Sequence, residues 1–135
     1  MPMLTNVSLL LARLLLAALF IASGYGALSN IEGSAGYFAS LGFPLPTLVT
    51  WGVGLFELIA GALILAGFQT RPAALLLAAF SAAAGFIGHY GQGGDDPTLA
   101  FMHSHALMKD MAIAGGFLAL SIAGAGAFSI DARRG

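Results

Sequence analysis

The sequence predicts an all-α integral membrane protein in which four helices form a bundle, and three observations lead to this prediction. Of the 135 residues, 59% are hydrophobic and only 8% are charged, whereas soluble domains are about a quarter charged. The five basic and six acidic residues leave long charge-free intervals, each close to the roughly 20 residues that cross a bilayer core. These intervals lack the short alternating segments of a membrane barrel, so helices are expected.

The four spans follow one another with turn-forming segments between them. We treat the whole chain, residues 1–135, as a single transmembrane domain with spans at residues 7–28, 46–68, 72–90 and 101–123. The segments "SNIEGS", "GFQTRP" and "GQGGDDPT" separate them. Residues 29–45 are predicted to form an outer loop that contains a short helix on the membrane surface, because "YFASLGF" combines aromatic and apolar groups beside Glu32.

The distribution of charge predicts the orientation in the membrane. An even number of spans places both termini on one side, which also receives Arg71, Arg133 and Arg134, while Asp95 and Asp96 fall on the other. By the positive-inside rule both termini are cytoplasmic. The lipid bilayer is the expected partner, and a net charge of −1 argues against nucleic acid.

Cysteine is absent from the sequence. Disulfides, thiolate metal sites and dithiol redox motifs are therefore excluded for this chain alone. Any redox role requires a bound cofactor.

Four ionisable residues lie at similar depths inside the predicted spans. With a rise of ~1.5 Å per residue, Arg13 lies about 10 Å from the cytoplasmic face, Glu57 near the midplane, and Lys109 and Asp110 about 12–15 Å from the outer face. A charge at the bilayer centre costs at least ~2.5–3.5 kcal/mol, so we expect pairs: Arg13 with Glu57, and Lys109 with Asp110 or Glu57. Such pairs either mark a functional site or only hold the helices in register.

The phase of the second span predicts that Glu57 faces the interior of the protein. Gly54, Glu57 and Gly61 share one helix face at spacings of three and four residues. Small residues at this spacing allow another helix to approach closely.

Three histidines lie at the outer ends of the third and fourth spans. His103 and His105 are about 200° apart around a helix, which argues against both binding one metal ion, and we predict no metal site. A metal or haem site that uses His89 and one of these two histidines stays open, as do interfacial histidines bound to water.

The segment "FMHSHALMKD" is predicted to form the mouth and wall of a polar pocket. Lys109 would reach towards Glu57, with one of the two histidines and His89 near the entrance. Because histidine titrates near neutral pH, ligand binding should change between about pH 5.5 and 7.5 and should respond to His105→Ala. The candidate ligand-binding residues are Arg13, Glu57, His89, His105, Lys109 and Asp110.

Three segments together resemble the DoxX family of small bacterial membrane proteins. They are "ARLLLAALFIASGYGAL", "GFPLPTLVTWGVGLFELIAGALILAGFQTRPAALLLAAF" and "MKDMAIAGGFLALSIAGAGAFSID", which cover nearly the whole chain. The resemblance implies a four-helix bundle in a bacterial inner (plasma) membrane and an association with quinone-linked membrane redox systems. The chain departs from the family pattern at Ala27, where Lys is usual, and at Asp110, where Asn is usual.

The positions that match the family pattern include ionisable, glycine and C-terminal residues. They are Arg13, Gly24, Glu57, Gly61, Gly67, Arg71, Lys109, Ser129 and Asp131. The resemblance implies that the glycines serve packing and turns and that Arg71 anchors the topology. Ser129 and Asp131 are expected to form a short cap beneath the bundle.

Two classes of function fit the sequence. In the first, the protein is an accessory component of a membrane redox system and works with other membrane redox subunits. Its polar pocket would bind a quinone cofactor, with Lys109, Arg13 or a histidine at the quinone oxygens and Glu57 exchanging a proton. In the second, it is a non-catalytic membrane subunit or a small-solute carrier without a redox cofactor. Glycines at positions 52, 54, 61, 115 and 116 permit tight packing within or between chains, so a homo-oligomer also stays open.

Overall fold

The computed structural model describes residues 2–134, and that part of the chain contains six helices and no strand. The helices are α1 (Met3–Ser29), α2 (Ile31–Ser40), α3 (Pro46–Ala66), α4 (Thr70–His89), α5 (Pro97–Ala123) and α6 (Ile130–Arg134). Four of them, α1, α3, α4 and α5, are long and apolar enough to cross a membrane. The predicted all-α membrane class is confirmed, and the span boundaries agree to within four residues.

The chain divides into two compact units. The first contains α1, α2 and α3 up to Thr70 and the C-terminal segment from Gly124, including α6. The second runs from Arg71 to Ala123 and contains most of α4 and all of α5. The single domain over residues 1–135 stays a prediction.

In the first unit, α1 and α3 pack closely through small residues. A Cβ atom on Gly24 would lie 2.8 Å from the carbonyl oxygen of Gly54, and one on Gly54 would lie 2.7 Å from Leu28. A Cβ on Gly61 would likewise meet Ile21 at 3.0 Å. The predicted small-residue face of α3 is therefore the face that contacts α1, as expected for helix packing in a membrane.

The loop between α1 and α3 contains the short helix α2, as the sequence predicts. The Asn30 side-chain oxygen caps this helix by accepting a hydrogen bond of 3.1 Å from the Gly33 N–H. At the other end the rings of Tyr37, Phe38 and Phe43 meet edge to face, with centroids 5.4 and 5.7 Å apart. The helix packs against α3. Its position on the outer membrane surface stays a prediction.

The C-terminal segment folds back onto the turn that follows α3. The Asp131 N–H donates a hydrogen bond of 2.8 Å to the Gly67 carbonyl, and the Asp131 carboxylate accepts bonds of 2.9 Å from the N–H groups of Gln69 and Thr70. These two N–H groups belong to the start of α4, where helical partners are missing. The Ser129 hydroxyl also accepts a bond from the Ala132 N–H. The cap predicted around Ser129 and Asp131 is therefore present.

In the second unit, α4 and α5 form an antiparallel hairpin. Near one end, the Arg71 guanidinium donates to the carbonyl oxygens of Ser121 and Ile122 at the C-terminus of α5. Near the other end, a Cβ on Gly85 would lie 2.8 Å from the Cβ of Asp110. Arg71 thus fixes one end of the hairpin, and the missing side chain of Gly85 lets Asp110 approach α4.

Candidate functional site

Arg13 is buried in the first unit, where backbone carbonyls surround its guanidinium. The side chain is 1% exposed. It donates hydrogen bonds to Ile64 and Leu65 of α3, at 3.0 and 2.7 Å, and to Ala125 and Phe128 of the C-terminal segment, at 3.1 and 2.8 Å.

The predicted ion pair between Arg13 and Glu57 is wrong. The α3 acceptors of Arg13 lie about two helical turns beyond Glu57, at the C-terminus of that helix. The last carbonyls of a helix lack intrahelical partners and carry partial negative charge, so they attract a cation. Asp131 adds a favourable charge interaction with Arg13. Arg13 therefore links α1 to α3 and to the C-terminal segment. Its role in this unit is structural.

Glu57 faces the interior, as its place on the small-residue face predicts. It is 6% exposed, and the Ser23 hydroxyl on α1 hydrogen-bonds to its carboxyl group. Within the first unit, among residues 2–70 and 124–134, no basic side chain pairs with Glu57. The carboxyl group is held by a neutral hydroxyl, in a helix that has no other charged residue.

Glu57 and Ser23 border a cleft of about 400 Å³ that α1, α2 and α3 enclose. Its lining combines polar groups with apolar and aromatic ones: Ser23, Ala27, Asn30, Gly33, Ser34, Tyr37, Phe38, Val53 and Glu57. The polar atoms come from both spans and from α2. The cleft therefore offers an amphipathic molecule a polar wall and an aromatic wall.

Most of the residues that line this cleft were not among the predicted site residues. Ser23 and Ala27 are four residues apart and share one face of α1, and Asn30 follows three residues later as the cap of α2. That spacing was available in the sequence. Ser34 and Tyr37 could not be inferred, because their position depends on how α2 packs against α3.

The histidines form a separate cluster in the second unit. The Nδ1 atoms of His89 and His103 are 2.9 Å apart, and the Nε2 atom of His89 lies 3.8 Å from a carboxylate oxygen of Asp110. His105 instead packs against the Phe101 ring, with centroids 4.2 Å apart, and Lys109 is exposed. The structure thus brings His89 and Asp110 together with His103, which the predicted set did not contain.

The predicted residues, all of which the structure describes, form no metal-binding cluster, and they are divided between the two units. Among residues 2–134, no three His, Asp or Glu side chains are placed to ligate one metal ion. Glu57 belongs to the first unit and Lys109 to the second. The approach of Lys109 to Glu57 stays a prediction.

Four apolar helices and a polar cleft between helices define a multi-pass integral membrane protein. The chain matches the DoxX family over residues 8–90, more than half of its length, and it belongs to that family. All the residues that line the Glu57 cleft lie within the matched region, whereas His103 and Asp110 lie beyond it.

Two curated relatives extend the similarity to nearly the whole chain. Inner membrane protein YqjF of Escherichia coli (strain K12) is 37% identical over 136 residues, which cover 97% of this chain and 95% of the relative. Inner membrane protein YphA of the same organism is 36% identical over 129 residues, covering 94% and 90% respectively. No solved structure gives a significant match.

Proposed function

We propose that this protein is an inner-membrane accessory component of a redox system and that its Glu57 cleft binds the head group of a quinone. The names of the two relatives support the inner-membrane location. The observation that carries the binding proposal is the buried Glu57 carboxyl, which borders an accessible cleft and has a hydroxyl as its partner. Intramembrane ionisable residues of this kind mark ligand or proton sites by default.

The lining of the cleft suits a flat, partly polar ring. A quinone head group needs hydrogen-bond donors at its two oxygens and an apolar contact at its ring face. Tyr37 carries a hydroxyl that can donate, and the Asn30 amide nitrogen is a donor whose own oxygen is engaged in capping α2. The Ser23 hydroxyl donates to Glu57 and holds that carboxyl group in place. Phe38 and Val53 supply apolar contact, and the hydrocarbon tail leaves towards the lipid.

Glu57 has the chemistry to exchange protons with the bound ring. Reduction of a quinone to a quinol takes up two electrons and two protons. In this proposal a partner redox subunit supplies the electrons, since the chain contains no cysteine for a dithiol or an iron–sulfur centre. The Glu57 carboxyl can pass one proton to a quinone oxygen, and water at the open side of the cleft can reprotonate it and supply the second proton.

A binding titration tests this proposal. The chain has a single tryptophan, Trp51, which lies six residues before Glu57 on α3 and hence about 9 Å away along the helix. A short-tailed benzoquinone, added to protein in lipid nanodiscs, should quench Trp51 fluorescence in a saturable way. Glu57→Gln and Ser23→Ala should each weaken this binding about tenfold, the effect of losing one or two hydrogen bonds.

The matched control is Glu32→Gln, which makes the same chemical change on the exposed side of α2. This variant should bind the benzoquinone as the unchanged protein does. Quenching that rises linearly with quinone concentration and is equal in all four proteins reflects partition into the lipid, and it would refute the proposal. The protein would then be better described as a non-catalytic membrane subunit or a small-solute carrier.

A further inference from the structure

The histidine cluster of the second unit contains two imidazoles in direct contact. His89 is the last residue of α4, and His103 lies in the second turn of α5. Their Nδ1 atoms are 2.9 Å apart, the distance of a hydrogen bond. Such a contact needs one hydrogen between the rings, so one histidine donates its Nδ1–H and the other accepts.

The contact with Asp110 indicates which histidine is the donor. His89 Nε2 lies 3.8 Å from the Asp110 carboxylate, and a hydrogen on this nitrogen is favoured by the negative charge. A neutral His89 with its hydrogen on Nε2 has a lone pair on Nδ1, and His103 is then the donor. This distance is longer than a direct hydrogen bond, so proton transfer to Asp110 requires a bridging water or a small side-chain rotation.

The same geometry disfavours a metal ion between the rings. Zinc–nitrogen bonds are about 2.0–2.1 Å long, and tetrahedral coordination separates two ligand nitrogens by about 3.3 Å. The observed separation of 2.9 Å fits a shared proton better. Among residues 2–134, no group of three candidate ligands is placed around one point.

We propose that His103, His89 and Asp110 form a proton-transfer chain that leads from the loop end of the hairpin into the membrane span. His103 and Asp110 are seven residues apart on α5, about 10 Å along its axis. Gly85 makes the inner end of the chain possible, because a Cβ at this position would lie 3.2 Å from a carboxylate oxygen of Asp110.

Each step of the transfer moves one proton. Water delivers a proton to His103 Nε2, and the Nδ1–H of His103 passes to Nδ1 of His89. The Nε2–H of His89 then passes to the Asp110 carboxylate. At the end both imidazoles are neutral, Asp110 is protonated, and the hydrogen bond between the rings has reversed its direction, with His89 now the donor.

The third histidine and the other charged groups near this end of the hairpin lie outside the proton-transfer chain. His105 packs on Phe101, and Lys109 is exposed. Asp96 accepts hydrogen bonds from the N–H groups of Thr98 and Leu99 at the start of α5, and Asp95 beside it is exposed.

Nuclear magnetic resonance of protein labelled with ¹⁵N-histidine tests the proposal directly. The chain has three histidines, so the imidazole spectrum contains three residues, each assigned by a single substitution. In lipid nanodiscs, His89 and His103 should show a scalar coupling between their Nδ1 atoms. When acidification protonates Asp110, the donor should change from His103 to His89.

Two variants distinguish proton transfer along His103, His89 and Asp110 from a hydrogen bond between the two histidines alone. Asp110→Asn keeps the side-chain shape but cannot accept the proton, so the coupling should remain and the change of donor should disappear. His105→Gln is the control and should leave both signals unchanged. Independent titration of His89 and His103 without coupling would overturn the proposal, as would a complete change of donor in Asp110→Asn.

Discussion

A buried arginine in a membrane helix does not need a carboxylate as its partner. Arg13 is held by four carbonyl oxygens, two of them from the C-terminal turn of α3, where the backbone already lacks partners. The balance of acidic and basic residues in the spans predicts ion pairs, and this is why Glu57 was the expected partner of Arg13. Every helix end has backbone carbonyl acceptors, whatever its residue types. Counting charged side chains therefore misses this kind of partner for a buried arginine.

Arg13→Lys should destabilise the protein strongly. Lysine has a single nitrogen that cannot reach acceptors on both α3 and the C-terminal segment, and each buried carbonyl left unsatisfied costs about 1–3 kcal/mol. Thermal unfolding in detergent should show a clearly lower midpoint for Arg13→Lys. Arg133→Lys, an exposed change of the same kind, should have almost no effect. Equal midpoints for the two variants would contradict the structural role of Arg13.

Asp131 should make stability depend on pH in the acid range. Burial raises the pKa of Asp131, but hydrogen bonds from Thr70 and Gln69 and the nearby charge of Arg134 outweigh it, so this pKa lies below its ordinary value. A carboxylate whose pKa is lowered by folding stabilises the protein above its unfolded pKa of about 3.9, and this stabilisation is lost as the pH falls through the folded value.

The comparison of Asp131→Asn with the unchanged protein measures this effect. The variant should melt at a lower temperature near pH 7. Asparagine is uncharged and has only one acceptor oxygen, so it cannot accept both backbone hydrogen bonds. The difference should persist down to about pH 5 and shrink below about pH 4. A difference that stays constant into this acid range would show that Asp131 is not the titrating group.

At the scale of helices, the positions of the spans could be predicted and their contacts could be predicted only in part. Hydropathy and turn residues located α1, α3, α4 and α5 to within four residues, because membrane helices must satisfy their own backbone and exclude charge. The face of α3 that carries Gly54, Glu57 and Gly61 was also predicted correctly.

The rotation of α5 could not be predicted from its sequence. His103 and His105 occupy different faces of this helix. Both faces continue with small or polar residues, so either one could pack against α4. Which one meets His89 depends on the packing of α5 against α4, which is set by Gly85 and Leu107 among others. The sequence therefore favoured His105, whereas the structure brings His103 to His89.

The close approach of α1 and α3 can be tested with two glycines of the same helix. Gly24→Ala places a methyl group 2.8 Å from the Gly54 carbonyl oxygen, so the helices must separate, at a cost of about 1–3 kcal/mol. Gly26→Ala meets no atom within 4 Å and should be neutral or slightly stabilising, since alanine favours a helix by about 1 kcal/mol over glycine. Chemical denaturation in detergent should separate the two variants, and equal stabilities would exclude the tight contact.

For the whole molecule, the orientation in the membrane is a separate prediction. The chain contains no cysteine, so Asp95→Cys and Arg134→Cys each introduce a single reactive thiol. A membrane-impermeant maleimide added to intact spheroplasts should label position 95 and leave position 134 unlabelled until the membrane is opened. This follows from the basic residues near the C-terminus and the positive-inside rule. Labelling at 134 but not at 95 would reverse the assigned orientation.

The most direct test of the central claim is mass spectrometry of the lipids that stay bound to the protein when it is extracted from its native membrane into polymer nanodiscs. If the Glu57 cleft binds a quinone, the unchanged protein and Glu32→Gln should retain a quinone in stoichiometric amount above the level of the surrounding membrane. Glu57→Gln should retain no more than that background, while folding normally. Equal quinone contents in all three preparations, or a quinone level in the unchanged protein no higher than in the membrane, would contradict the claim.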